Sequence, residues 1–131
     1  MRYLPVVLLI CGCTMTTMRI ARAPLPAAPT LVYTELVLAL NRAGVTVTHA
    51  DGASRIVMGT WLGDPLLSGK MRYDVLASVV GTGSGIGSTV AIQATTRQSF
   101  DFGETERCIR QVQQELRGVY PDLTFEVSKK E

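Results

Sequence analysis

Two runs of alternating residues constrain this chain more than any other feature. From Met71 onward, Met71, Tyr73, Val75, Ala77 and Val79 fall on one side of an extended strand, and Arg72, Asp74 and Ser78 fall on the other. Alternation resumes with Val90, Ile92 and Ala94 set against Thr89, Gln93 and Thr95, and continues to Phe100 and Phe102. Successive side chains of a strand point to opposite faces, so each run describes a strand with one dry and one wet side. The segment Gly81-Thr-Gly-Ser-Gly-Ile-Gly87 lies between them. The two strands are therefore expected to form a long antiparallel hairpin with a flexible tip, and the dry side of its sheet must be buried against another layer.

Candidates for that layer stand on either side. Val32, Leu36, Ala39, Leu40 and Ala43 recur at spacings of three and four, Thr30 precedes them as a candidate cap, and Gly44 stands where a left-handed residue ends a helix. Ile109, Val112, Leu116 and Val119 form a second helical stripe with Cys108 beside it, opened by the capping-box spacing of Asp101 and Glu104 and stopped by Pro121. Val45–His49 and Arg55–Leu62 are β-branched, strand-like runs around Asp51-Gly52, either a hairpin or sheet neighbours, and Leu123–Val127 reads as a last strand. This order predicts an α+β fold, with two helices packed on one face of a mainly antiparallel four- to five-stranded sheet. A chain of 131 residues has room for one such domain, placed at residues 30–131.

The composition, 47% hydrophobic and 18% charged, is too apolar for a disordered chain, and part of the bias is local. Met1-Arg2 followed by the apolar run Tyr3–Ile10 has the order of a secretory signal, charge first and then a short hydrophobic region, too short to span a bilayer. Ile10-Cys11-Gly12-Cys13 resembles the lipobox of bacterial lipoproteins, which implies acylation of Cys13. Residues 1–12 are then a signal peptide. Residues 13–29, rich in Thr, Ala and Pro, read as the lipidated Cys13 and a flexible tether, with a short strand possible around Met18–Ala21. Thr14 rather than Asp after Cys13 leans toward the outer membrane, with the domain facing the periplasm. Cleavage after Ala21-Arg22-Ala23 and a buried N-terminal strand of a cytosolic protein are the competing readings.

Chemistry-bearing residues are sparse. With Cys11 removed and Cys13 acylated, Cys108 alone remains, so neither a disulfide nor a zinc site can be assembled with the one histidine, His49. His49 has no catalytic nucleophile motif beside it and reads as a surface strand residue. Asp51, Asp64 and Asp74 read as solvated. The Gly81–Gly87 run lacks the following helix that phosphate binding requires. No catalytic residue, metal or cofactor is expected, and a net charge of +2 gives no steering toward nucleic acid. Trp61 reads as a core residue or an exposed contact.

Between Thr34 and Leu116 the chain resembles the LptE-like lipoproteins of lipopolysaccharide assembly. The resemblance rests on Glu35 to Gly44-Val45, on Arg55-Ile-Val-Met-Gly59, on Tyr73-Asp-Val-Leu-Ala-Ser-Val-Val80 and on Thr96-Arg97-Gln-Ser-Phe100-Asp-Phe102. It implies an accessory partner of an outer-membrane barrel, with Lys70, Arg72 and Arg97 as candidate lipopolysaccharide contacts. Tyr73, Trp61 and the tip glycines Gly83 and Gly85 complete the candidate partner-binding set. The function expected is thus a non-enzymatic lipoprotein that docks with an outer-membrane or envelope-spanning machine. A lipid- or glycan-binding carrier, and a subunit of a secretion, conjugation or polysaccharide-export apparatus, are the alternatives.

Overall fold

The protein's structure, a computed structural model, describes residues 17–63, 71–83, 87–96 and 103–130. Its elements run β1 (Thr17–Leu25), α1 (Pro29–Arg42), β2 (Thr46–Asp51), β3 (Ile56–Gly63), β4 (Met71–Gly81), β5 (Ser88–Thr96), α2 (Glu104–Arg117) and β6 (Glu126–Lys130). Among the described residues six strands make one sheet in the order β2-β3-β4-β5-β1-β6, every neighbouring pair antiparallel. The α+β class is as expected, with one strand more than the sequence suggested.

The alternating runs became the centre of the sheet. Tyr73, Val75, Ala77 and Val79 of β4 and Val90, Ile92 and Ala94 of β5 are all buried on the dry face, and Asp74 to Gly81 pair with Thr95 to Ser88. The two helices lie on that face and pack on each other. From α1, Val32, Leu36, Ala39 and Leu40 enter the core; from α2, Cys108, Ile109, Val112 and Leu116 do. The β2–β3 pair is a hairpin around Asp51-Gly52, with a bulge between Val47 and His49.

Five expectations need correction. Residues 17–29 are no tether: β1 occupies Thr17–Leu25 and sits inside the sheet between β5 and β6, with Ala21, Ala23 and Leu25 buried. Thr30 does not cap α1. Pro29 takes the first helical position, where its missing N–H is not needed, and Thr34 Oγ1 instead donates to the Thr30 carbonyl at 3.1 Å. The second helix likewise starts without a side-chain cap, at Gly103 with φ 82°, and Val119 lies beyond its end, 44% exposed. The last strand begins at Glu126 because Leu123 and Phe125 turn into the core before it, held by Arg117 Nε donating to the Leu123 carbonyl at 2.7 Å and the Phe125 N–H to Gln113 Oε1 at 3.1 Å.

Two glycines do what no other residue could. Gly44, at φ 94°, closes α1: its N–H donates to the Asn41 carbonyl and the N–H of Val45 to that of Leu40, which satisfies the last helical carbonyls. At Gly59 a Cβ would stand 2.6 Å from the Thr46 carbonyl oxygen, so the β2 backbone can cross β3 closely only there.

Candidate functional site

No described element covers the other face of the sheet. Antiparallel register builds it from cross-strand rows: Met18, Thr95, Asp74, Thr60 and Thr46 in one, and Ile20, Gln93, Leu76, Met58 and His49 in the next. On a wet face such rows are ordinarily polar throughout. Here Ile56, Met58 and Leu62 of β3 and Leu76 and Val80 of β4 are large apolar side chains left exposed on it. Met58 and Leu76 are direct cross-strand partners at its middle.

Beside that pair lies an open groove of about 440 Å³, lined by Met58 and Leu76 together with Thr60, Asp74, Gln93 and Thr95. Its floor is amide and hydroxyl, and Thr95 Oγ1 is buried there without a hydrogen-bond partner. The charged groups at its rim, Arg72 and Asp74, approach to 3.6 Å with both side chains mostly in water. Exposed pairs of this kind contribute little, so both remain available to another molecule. His49 stands exposed on the same face. Asp51 closes the adjoining turn: the Ser54 hydroxyl donates to its carboxylate at 2.9 Å and the Ala53 N–H at 3.0 Å, which holds its carboxyl below the usual range.

The dry side of the same sheet end holds an aromatic and ionic cluster. Trp61 and Tyr73 meet edge to face with ring centroids 5.5 Å apart, and the Arg107 guanidinium lies 5.5 Å from the Trp61 ring centroid. Glu104 is buried and accepts from Arg107 Nη1 at 2.9 and 3.0 Å. One turn along α2, burial foremost and the Glu104 charge next push the Cys108 thiol up to about 12, with Arg107 acting the other way. Cys108 is therefore a packed neutral thiol. Among the described residues no three of His, Cys, Asp and Glu converge to hold a metal ion.

The residues singled out from sequence thus separate. Arg72 is exposed at the groove rim, whereas Tyr73 and Trp61 are core side chains, 0% and 4% exposed, that a partner cannot reach. The alternation that puts Arg72 on the wet face puts Tyr73 on the dry one. Gly83 lies at the hairpin tip, at the end of the sheet opposite Arg72. Cys13, Asp64, Lys70, Gly85, Arg97 and Asp101 fall outside the described residues. Sequence reasoning missed Met58, Leu62, Leu76 and Val80, although Leu76 and Val80 were visible as apolar interruptions of the wet side of β4.

No family model matches this sequence, and no curated protein does. Among solved structures, the crystal structure of TTHA0849 from Thermus thermophilus is similar at 14% identity and a TM-score of 0.43, over 78% of this chain and 98% of that one. A likeness at that level carries no functional weight. No helix among the described residues is long and apolar enough to cross a membrane.

Proposed function

We propose that this protein is a non-enzymatic accessory lipoprotein, acylated at Cys13, that docks through the helix-free face of its sheet with an outer-membrane or envelope-spanning machine. Lipopolysaccharide assembly is the machine that the resemblance favours, with a membrane barrel protein as partner and lipopolysaccharide as a further ligand. The observation that carries the reading is the apolar set Ile56, Met58, Leu62, Leu76 and Val80, left in water on one uncovered face. Removing apolar area from water is favourable by roughly 25 cal/mol per Å², and apolar patches rimmed by polar groups mark contact surfaces. The groove and Arg72 supply such a rim.

Capture from membranes tests it. Met58→Thr combined with Leu76→Thr should sharply reduce co-purification of the partner from solubilised envelopes while leaving the circular dichroism spectrum and Tm nearly unchanged, because both side chains point away from the core and threonine suits a strand. Fatty-acid labelling should vanish in Cys13→Ser and persist in Cys11→Ser. Full partner capture by the double variant would remove the sheet face from the proposal, and labelling that follows Cys11 would remove the anchor.

A further inference from the structure

The two ends of the sheet are unlike, and the difference matters for a protein anchored at Cys13. At one end Thr17 pairs with Thr96 and Gly63 with Met71; at the other, Leu25 and Gly81 both pair with Ser88 beside the glycine-rich tip. Strand β4 runs from one end to the other, Met71 to Gly81, a length of about 33 Å at 3.3 Å per residue. The chain enters at the first end. Only Thr14, Met15 and Thr16 stand between Cys13 and Thr17, and four extended residue steps reach at most about 14 Å. The long flexible tether suggested by composition does not exist, because β1 consumes most of it.

Resting on the acylation of Cys13 put forward above, we propose that the Thr17 end of the sheet docks on the phospholipid surface through Leu62, so that the domain leans its open face toward the bilayer at that end with its glycine-rich tip directed away from it. Leu62 is 61% exposed at that end of the open face, and its cross-strand partner is Arg72. An apolar side chain beside a guanidinium suits the boundary between acyl chains and headgroup phosphates, to which arginine can donate two parallel hydrogen bonds. The Arg72–Asp74 contact of 3.6 Å is exposed and weak enough to be exchanged for a phosphate. Strand β6 ends on the same side, its last pairing being with Met18. A tether this short gives the surface an effective concentration in the millimolar range, so a contact too weak to bind membranes alone is still occupied.

Val80 provides the internal control, since it is also 61% exposed on the same face but lies at the tip end. Leu62→Trp and Val80→Trp are made in the full-length acylated chain and reconstituted into vesicles of phosphatidylglycerol and phosphatidylethanolamine, with and without brominated acyl chains. The buried Trp61 gives a common background, and an unchanged Tm confirms the fold of each variant. Bromolipid should quench the added fluorescence of Leu62→Trp several-fold more than that of Val80→Trp. Inserting a flexible linker of about 20 Gly and Ser residues after Thr16 should remove the difference while flotation with vesicles persists. Equal quenching at the two positions, or stronger quenching at Val80→Trp, in chains that float through Cys13 overturns the orientation and leaves the docking function standing. A wild-type chain that neither floats nor takes up the fatty-acid label overturns both.

Discussion

Leu36 and Leu40 on α1 and Ile109 and Leu116 on α2 are fully buried, and each lies on the apolar stripe that its helix turns toward the sheet. Truncating any of them removes packed methyl groups and leaves a hole that its neighbours only partly fill. Leu40→Ala and Leu116→Ala should therefore each lower stability by about 2–5 kcal/mol, read as a shift of the urea midpoint at constant slope. A loss below about 1 kcal/mol at both would mean that the helices do not share a core. Cys108 makes a prediction in pH. Its thiol is pushed up to about 12 from the ordinary 9.0, so the folded state keeps a proton that the unfolded state gives up above pH 9. Its contribution to stability is present below pH 9 and is lost as the pH rises toward 12, at about 1.4 kcal/mol per pH unit. Alkaline denaturation of the wild type should be steeper than that of Cys108→Ala over this window, and a thiol reagent at pH 8 should modify Cys108 only after unfolding. Identical alkaline slopes would show that the thiol is not desolvated. At this scale the side chains within the regular runs were legible, since Val75, Ile92 and Leu40 follow their periods without exception. Trp61 was not, because β3 reads as apolar on both sides: its dry face holds Gly59 and Gly63 where large residues would have marked it, and its wet face holds Ile56, Met58 and Leu62.

Among the elements, the β4–β5 hairpin has a ladder that ends one step beyond the strands, where the Thr82 N–H donates to the Gly87 carbonyl at 2.9 Å. Only residues 83–86 lie outside that closing pair. Replacing Gly83–Ile86 by Asn-Gly should leave Tm unchanged or raise it, because a two-residue turn suited to the strand twist shortens the loop to be closed and leaves one glycine in place of two, the residue whose unfolded-state entropy is the largest of any. A fall in Tm of more than about 4 °C, equivalent to roughly 1 kcal/mol for a domain of this size, would show that the loop stabilises the fold through contacts of its own. The hairpin was readable because its residues obey one period for a long stretch. Strand β1 was readable only in part, as a possible short strand around Met18–Ala21, for two physical reasons. Its inward residues Ala21 and Ala23 are small, so the dry face carries little hydrophobic signal, although both are buried. Pro24 also argues against an interior strand, since it has no N–H to give. The register explains why it is tolerated: β6 pairs with β1 only from Met18 to Arg22, so at Pro24 the strand has a neighbour on one side alone.

For the whole molecule, β1 decides what the smallest folding unit is. A chain starting at Thr17 should retain the native circular dichroism spectrum and a cooperative urea transition. One starting at Thr30, as the sequence boundary of the domain suggested, loses an internal strand, exposes the edge of β5 and strands β6, and should be insoluble or lack a cooperative transition. Native-like unfolding of the shorter chain would mean that β1 is dispensable. The open face belongs to the same scale, since no single strand declares it. It exists because both helices pack on the same side, as the element order suggested; periodicity did not show that large apolar residues would remain on the other side. One consequence of the strand order concerns the time course of folding. Strand β1 waits for β5, and the pairing of Met18 with Lys130 joins positions near the two extremes of the chain. Contacts so remote in sequence form late and slowly. Strands β2 to β5 can pair as local hairpins, each with the next, whereas β1 must wait for β5 and β6 for β1, so the strand that comes first in the sequence is among the last to be built in.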